Sequence, residues 1–165
     1  MIKNQNLTRS LASLTIFKLG NHSNQEIDRL RLNVRHNSRK CLEWIQNSQY
    51  AQDIADVVNV GYGKVNCISF CTAGGIGEEN DEEIIRVLIL IHNFLLKLHE
   101  GRYFRQPSFQ PLPLIVRRTE EQIEEEGAIE EVEDQMINYG HQYCGINIQA
   151  QGVKSETLNH FIYNN

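Results

Sequence analysis

The chain has 165 residues, four cysteines and a net charge of −5, which suits one domain on a single core and is too short for two comfortable ones. The acidic balance argues against a protein that coats nucleic acid, because phosphate binding needs a basic surface, so no nucleic-acid partner is expected. Cys41, Cys67, Cys71 and Cys144 follow no disulfide framework and no secretory signal precedes them, which predicts free thiols in a reducing compartment.

Leu7, Leu11, Leu14 and Phe17 or Leu19 recur at helical spacing and Gly20 makes a stop, predicting a first helix over about Leu7 to Leu19. Ser23-Asn24-Gln25-Glu26 has the capping-box arrangement, in which hydroxyl and carboxylate satisfy each other's orphan amides, so a second helix begins there. Ile27, Leu30, Val34, Cys41, Trp44 and Ile45 form its expected buried stripe, with a bend between Asn33 and Ser38. The opposite face then carries Arg29, Arg31, Arg35, His36, Arg39 and Lys40, a cluster read as solvated. Tyr50, Ile54, Val57 and Val58 share one side of a short third helix. Past Gly61 and Gly63, the residues Val65, Ile68 and Thr72, with Cys67 and Cys71 alongside, continue a helix to Gly74-Gly75; a strand over Val65 to Cys71 is the rival reading.

The most hydrophobic run follows. From Ile84 to Leu98 apolar residues fall on nearly every side of a helical period, the pattern of a buried central helix. Arg86, His92, Asn93 and Lys97 interrupt it, and it is shorter than the roughly 20 apolar residues of a membrane span, so no transmembrane segment is expected. Asn80 or Asp81 caps its start, Glu82 and Glu83 suit the positive end of its dipole, and Gly101 ends it. Pro107, Pro111 and Pro113, with Tyr103, Phe104, Phe109 and Leu112, predict an extended arm packed by its aromatics across the helices.

Glu120 to Tyr139 resumes a helical pattern through Ile123, Ala128 or Ile129, Val132 and Met136, but its glutamates repel one another. An exposed helix or partly ordered tail, dispensable for folding, is expected there. The alternation Ile146-Asn147-Ile148-Gln149 predicts a small hairpin or disorder. The expected architecture is all-α: one compact bundle around a buried central helix, with the helical domain and proline-rich arm over 1–118 and an acidic segment over 119–165.

No phosphate-cradling loop, nucleophile elbow or His-Glu-x-x-His pair occurs, so no catalytic residue and no cofactor are assigned, and the chain is not read as an enzyme. Cys67-x3-Cys71 with His141-x2-Cys144 is the nearest approach to a zinc set; Cys67 and Cys71 read instead as small core residues, and no metal is assigned. His92 and His99 read as hydrogen-bonded core histidines. A binding or assembly protein is the better class.

Tyr62-Gly63-Lys64-Val65 resembles the aromatic-Gly-Arg-aliphatic opening of the first homology motif of the Bcl family of apoptosis regulators, with Lys64 in the arginine's place. Ala73-Gly74-Gly75 is similar to the motif's glycine-rich close, Glu78 to Glu83 leads into the next helix, and Phe94 falls where the family often carries a tryptophan. The likeness is strongest to the compact members carried by DNA viruses, the adenoviral ones among them, which Thr119-Glu120-Glu121-Gln122 after a proline-rich stretch also resembles. The resemblance implies paired central helices, an apolar groove, and a cytoplasmic suppressor of apoptosis, peripheral at mitochondria, that sequesters the amphipathic helix of a pro-apoptotic protein. Lys64 would face a ligand carboxylate, and Ile54, Val57, Val58, Tyr62, Gly63, Val65 and Ile68 would form the binding surface. The alternative is a self-assembling helical viral structural protein of capsid type, with the aromatic and proline-rich arm between subunits. A monomer or homodimer in solution fits the first reading and large particles the second.

Overall fold

The structure is a computed structural model that describes residues 5–21, 23–47, 51–70, 81–101, 109–139 and 145–158. Among them are eight helices and no strand: α1 (Gln5–Thr15), α2 (Gln25–Gln46), α3 (Ala51–Asn59), α4 (Tyr62–Phe70), α5 (Asp81–Glu100), α6 (Pro113–Glu125), α7 (Ala128–Met136) and α8 (Ile146–Leu158). The all-α expectation holds, and Val65 to Phe70 is helical rather than extended.

Two apolar clusters share α5 as their spine. In the first, Ile84, Val87, Leu88, Ile91 and Leu95 meet Cys67 of α4, Ile123 of α6, and buried residues of α7 and α8. In the second, Phe94 and Leu98 meet Ile54, Val57 and Val58 of α3, Tyr62 and Val65 of α4, and Leu42 of α2. Each fully buried aliphatic or Phe side chain contributes about 1.5–3 kcal/mol, so the bundle rests on α5 and what covers it. Short α4 is the hub: it packs against α1, α3, α5, α6 and α7. Long α5 is buried on most of its surface but turns Arg86, Ile89 and Asn93 to solvent, so it is not enclosed on every side. Gly101 ends it at φ +77°, where a Cβ would meet the Phe109 carbonyl at 2.6 Å. The amide of Leu112 then donates to the Leu98 carbonyl at 2.9 Å, folding the lead into α6 back along α5.

Several expectations change. The first helix stops at Thr15, and it buries Thr8, Ala12 and Thr15 while Leu7 and Leu14 stay exposed. The cap of α2 is Asn24, whose Oδ1 accepts from the Ile27 amide at 3.0 Å; Asp28 reaches back to the Ser23 amide. No bend divides α2. Its buried face is Arg35, Ser38, Arg39, Leu42 and Gln46, whereas Ile27, Leu30, Cys41 and Trp44 point to solvent and Val34 and Ile45 are half-buried. The stripe expected inside is thus turned outward, and two members of the basic cluster expected outside, Arg35 and Arg39, are buried.

The proline-rich segment contributes the first residue of a helix, because Pro113 opens α6, where its missing N–H costs nothing. Phe109 and Leu112 pack on the second cluster as expected of the arm; Tyr103, Phe104 and Pro107 lie outside the described residues. The acidic stretch is helical and docks one face on the bundle instead of standing free of it: α6 runs through the boundary expected after residue 118, and Ile123, Ala128, Glu131, Val132 and Gln135 are buried. The end expected to be a hairpin is α8, which lays Ile146, Ala150 and Val153 against α5 and α7.

Candidate helix-binding site

Of the residues proposed to bind a partner helix, Ile54, Val57, Val58, Tyr62, Gly63 and Val65 are brought together by α3 and α4, which meet at the Gly61 turn. They do not line an open groove: all six are buried, and Ile68 is half-buried. Ile54, Val57, Val58, Tyr62 and Val65 belong to the second cluster, packed with Phe94 and Leu98 of α5, Leu42 of α2 and Ala12 of α1, and α6 adds to their cover. It lies across α3 and α4, with Val116 in the same cluster as the α3 residues and Ile123 in the cluster that includes Cys67.

The contacts are those of a helix docked in a site. A Cβ on Gly63 would stand 3.1 Å from Gln122 Oε1 and 3.3 Å from the Thr119 carbonyl, so the absence of a side chain there is what lets α6 approach α4. Gln122 Nε2 donates to the Val58 carbonyl at 3.0 Å, and Arg118 Nη1 donates to Asn59 Oδ1 at 2.6 Å, which pins α6 to the end of α3. At the far rim Lys64 donates to Glu126, just beyond α6, and the bond and charge of that carboxylate raise the lysine's pKa. The cation therefore meets a carboxylate at the edge of an apolar site, and the carboxylate belongs to this chain. On the other side of α6, His99 Nε2 and Glu120 Oε1 sit 3.4 Å apart, both buried, tying α6 to α5.

Beneath the site a few polar groups are set into the apolar interior. Tyr62 stacks edge-on against Phe94, with centroids 5.0 Å apart and an interplanar angle of 78°. Burial pushes its phenol well above the ordinary tyrosine range, and the Asn66 amide one turn on opposes the shift. Neither the Tyr62 hydroxyl nor the Asn66 amide makes a well-aligned hydrogen bond with a described residue. Farther along, Arg39 of α2 donates to Glu83 of α5 and, at 3.3 Å, to Ser69 Oγ of α4. His36 Nδ1 lies 3.0 Å from the other oxygen of Glu83, and Arg86 Nε is 3.8 Å away. Lys97 reaches Asn47 at 2.6 Å, so charged side chains clamp α2 to α5 near both ends of α5.

Sequence reasoning grouped Lys64, Gly63 and the α3 residues but missed that Gln122, Arg118 and Glu126 contact that surface. The signal was the amphipathic spacing of Val116, Thr119 and Ile123, hidden by the prolines before it and the glutamates after it. The Arg39–Glu83 clamp was also missed, because its partners stand 44 positions apart. Cys67 is buried and Cys41 exposed. Cys71, His141 and Cys144 lie outside the described residues, among which no cluster of His, Cys, Asp and Glu could hold a metal ion. Nor is any described helix long and apolar enough to cross a membrane. No family model, no curated protein and no solved structure matches the chain.

Proposed function

We propose that the chain is a helix-binding interaction protein, a suppressor of the Bcl-like type that its motif resembles, which sequesters the amphipathic helix of a pro-apoptotic protein on the α3–α4 surface. In this reading α6 is a resident occupant that the ligand displaces, and the protein works in the host cytoplasm. One observation carries it: the α3–α4 surface accepts a helix, with apolar anchors, a glycine at the closest approach and a lysine–carboxylate pair at the rim.

The energetics define the ligand. Val116 and Ile123 of α6 are buried, and each such side chain contributes about 1.5–3 kcal/mol, so a competing helix needs at least two anchors of that size. Lys64 is half-exposed, and a pair of that kind contributes about 0–1 kcal/mol, so it sets register more than it holds α6 down. Calorimetric titration of a helical death-ligand peptide tests the reading. Wild type should bind, Glu126→Gln should bind as well or more tightly because Lys64 is released for the ligand, and Lys64→Glu should bind several-fold more weakly. Lys64→Arg should be tolerated, since the guanidinium offers the same charge with a better fork. Absence of heat with every such peptide, in wild type and Glu126→Gln alike, would remove the proposal.

A further inference from the structure

The apolar stripe of α2 has a regular spacing. Ile27, Leu30, Val34, Asn37, Cys41 and Trp44 succeed one another at alternating intervals of three and four residues, the seam of a two-stranded coiled coil with one polar position. Trp44 is 79% exposed, Leu30 54% and Ile27 40%. The helix cannot roll to hide them in its own bundle, because its other face is fixed by Arg39 on Glu83 and Ser69, by His36 on Glu83, and by Leu42 in the core. Whatever covers the stripe comes from outside α2.

We infer that the occupant is a second copy of this chain, with the two α2 helices antiparallel about a two-fold axis. The stripe is complementary to itself in that register. Ile27 then packs on the partner's Trp44, Leu30 on the partner's Cys41 and Val34 on the partner's Asn37, and the two-fold repeats each layer. Leu30 and Val34 are thereby set against smaller or polar residues, and no layer holds two polar ones. A parallel pair would instead stack Asn37, Cys41 and Trp44 each on its own copy. The antiparallel register also opposes the helix dipoles. A helix of 22 residues is about 33 Å long and 10–12 Å across, which offers on the order of 350 Å² of facing strip. That lies below the roughly 800 Å² per partner of a standard interface, so the dimer belongs to the weak, exchanging class. A two-fold contact closes on itself, so it yields dimers and not particles. The inference does not depend on the α3–α4 site.

The chain supplies its own probe, since Trp44 is its only tryptophan. Light scattering and Trp44 emission are followed together from low to several hundred micromolar protein. The expected result is a monomer–dimer transition with a blue shift of emission over the same range. Leu30→Glu alters a half-exposed position and should keep the circular dichroism of wild type while weakening dimerisation at least tenfold. Register is read by oxidation: Leu30→Cys should cross-link through the partner's Cys41, the cross-link should vanish in Leu30→Cys/Cys41→Ser, and wild type should form none through Cys41. A monomer at every concentration with unshifted emission overturns the inference. So does a dimer that survives Leu30→Glu in folded protein, since another surface or partner segment would then hold it, and so does a Cys41–Cys41 disulfide that forms in preference to the cross-link from Leu30→Cys, as the parallel register would give.

Discussion

Glu83 faces His36, Arg39 and Arg86, and replacing it by Gln tests the reasoning about α2. The substitution keeps volume and one carbonyl oxygen but removes the charge that faces Arg39, whose side chain is 1% exposed. A guanidinium left in the interior without its carboxylate loses what offset its desolvation. Breaking a buried pair from one side costs about 3–5 kcal/mol, and because the glutamine oxygen still accepts one hydrogen bond we expect the lower end, about 3 kcal/mol. Against a domain stability of about 5–15 kcal/mol, that is a fifth to more than half of the total.

The reverse change is milder. With Arg39→Met, Glu83 keeps His36 at 3.0 Å and Arg86 at 3.8 Å, so its charge is still partly met. The pair Arg39→Met/Glu83→Leu should cost least and can stabilise, since apolar replacement of a buried ion pair is often neutral or favourable by about 1–4 kcal/mol. Urea melts followed by helix dichroism give the free energies of wild type and the three variants, with unchanged slopes confirming the same surface exposed on unfolding. Trp44 fluorescence is the wrong signal here because that side chain lies on the outer face. A loss below about 1 kcal/mol in Glu83→Gln, or a double variant less stable than Glu83→Gln alone, would refute the clamp, because buried charges that can be removed singly at no cost are in contact with water.

Three further outcomes follow from the same packing. Because burial raises the Tyr62 phenol, the stability it confers is fully present below the ordinary tyrosine value of 10.0 and is lost as pH climbs from there toward the folded value; Tyr62→Phe should flatten that alkaline decline in a melt series from pH 7 to 11, and equal declines in both proteins would contradict it. Gly152→Ala ordinarily strengthens a helix by about 1 kcal/mol, but here the new Cβ would lie 2.7 Å from His92 Nδ1; thermal melts should show a loss of about 1–3 kcal/mol, recovered in Gly152→Ala/His92→Ala. Truncation after Arg118 removes Ile123, Ala128, Val132, Ile146, Ala150 and Val153, half of the buried residues in the first cluster, so the fragment should lack a cooperative melt.

Where the apolar side of a helix is also its buried side, the sequence was enough. Ile54, Val57 and Val58 repeat at helical spacing and are inside; so do the apolar residues of α5, with Gly101 as its stop. The same rule found Ile123 and Val132 but misjudged their weight, because repulsion among glutamates is a surface effect whereas the burial of α6 and α7 depends on what α4, α5 and α8 present to them. For α8 the short alternation at Ile146 and Ile148 suggested a strand. Only Ile146 is buried, with Ala150 and Val153 at the next helical positions, and the close approach of Gly152 to His92 is a property of two helices and not of either alone.

The inversion of α2 marks the limit of periodicity as an argument. Periodicity states which residues share a face; it does not state which face turns inward, and that choice is made by the groups waiting on the neighbouring elements. Glu83 offers α2 a buried carboxylate, Ser69 a hydroxyl, and Lys97 a cation for its last turn. Once Arg39 and His36 accept that offer, Ile27, Leu30 and Trp44 must stand on the other side. A chain that turns a coiled-coil seam to solvent while burying arginine has placed its more specific contacts inside and its less directional ones outside, where another helix can reach them. The same pairing that anchors α2 is thus what presents its apolar stripe.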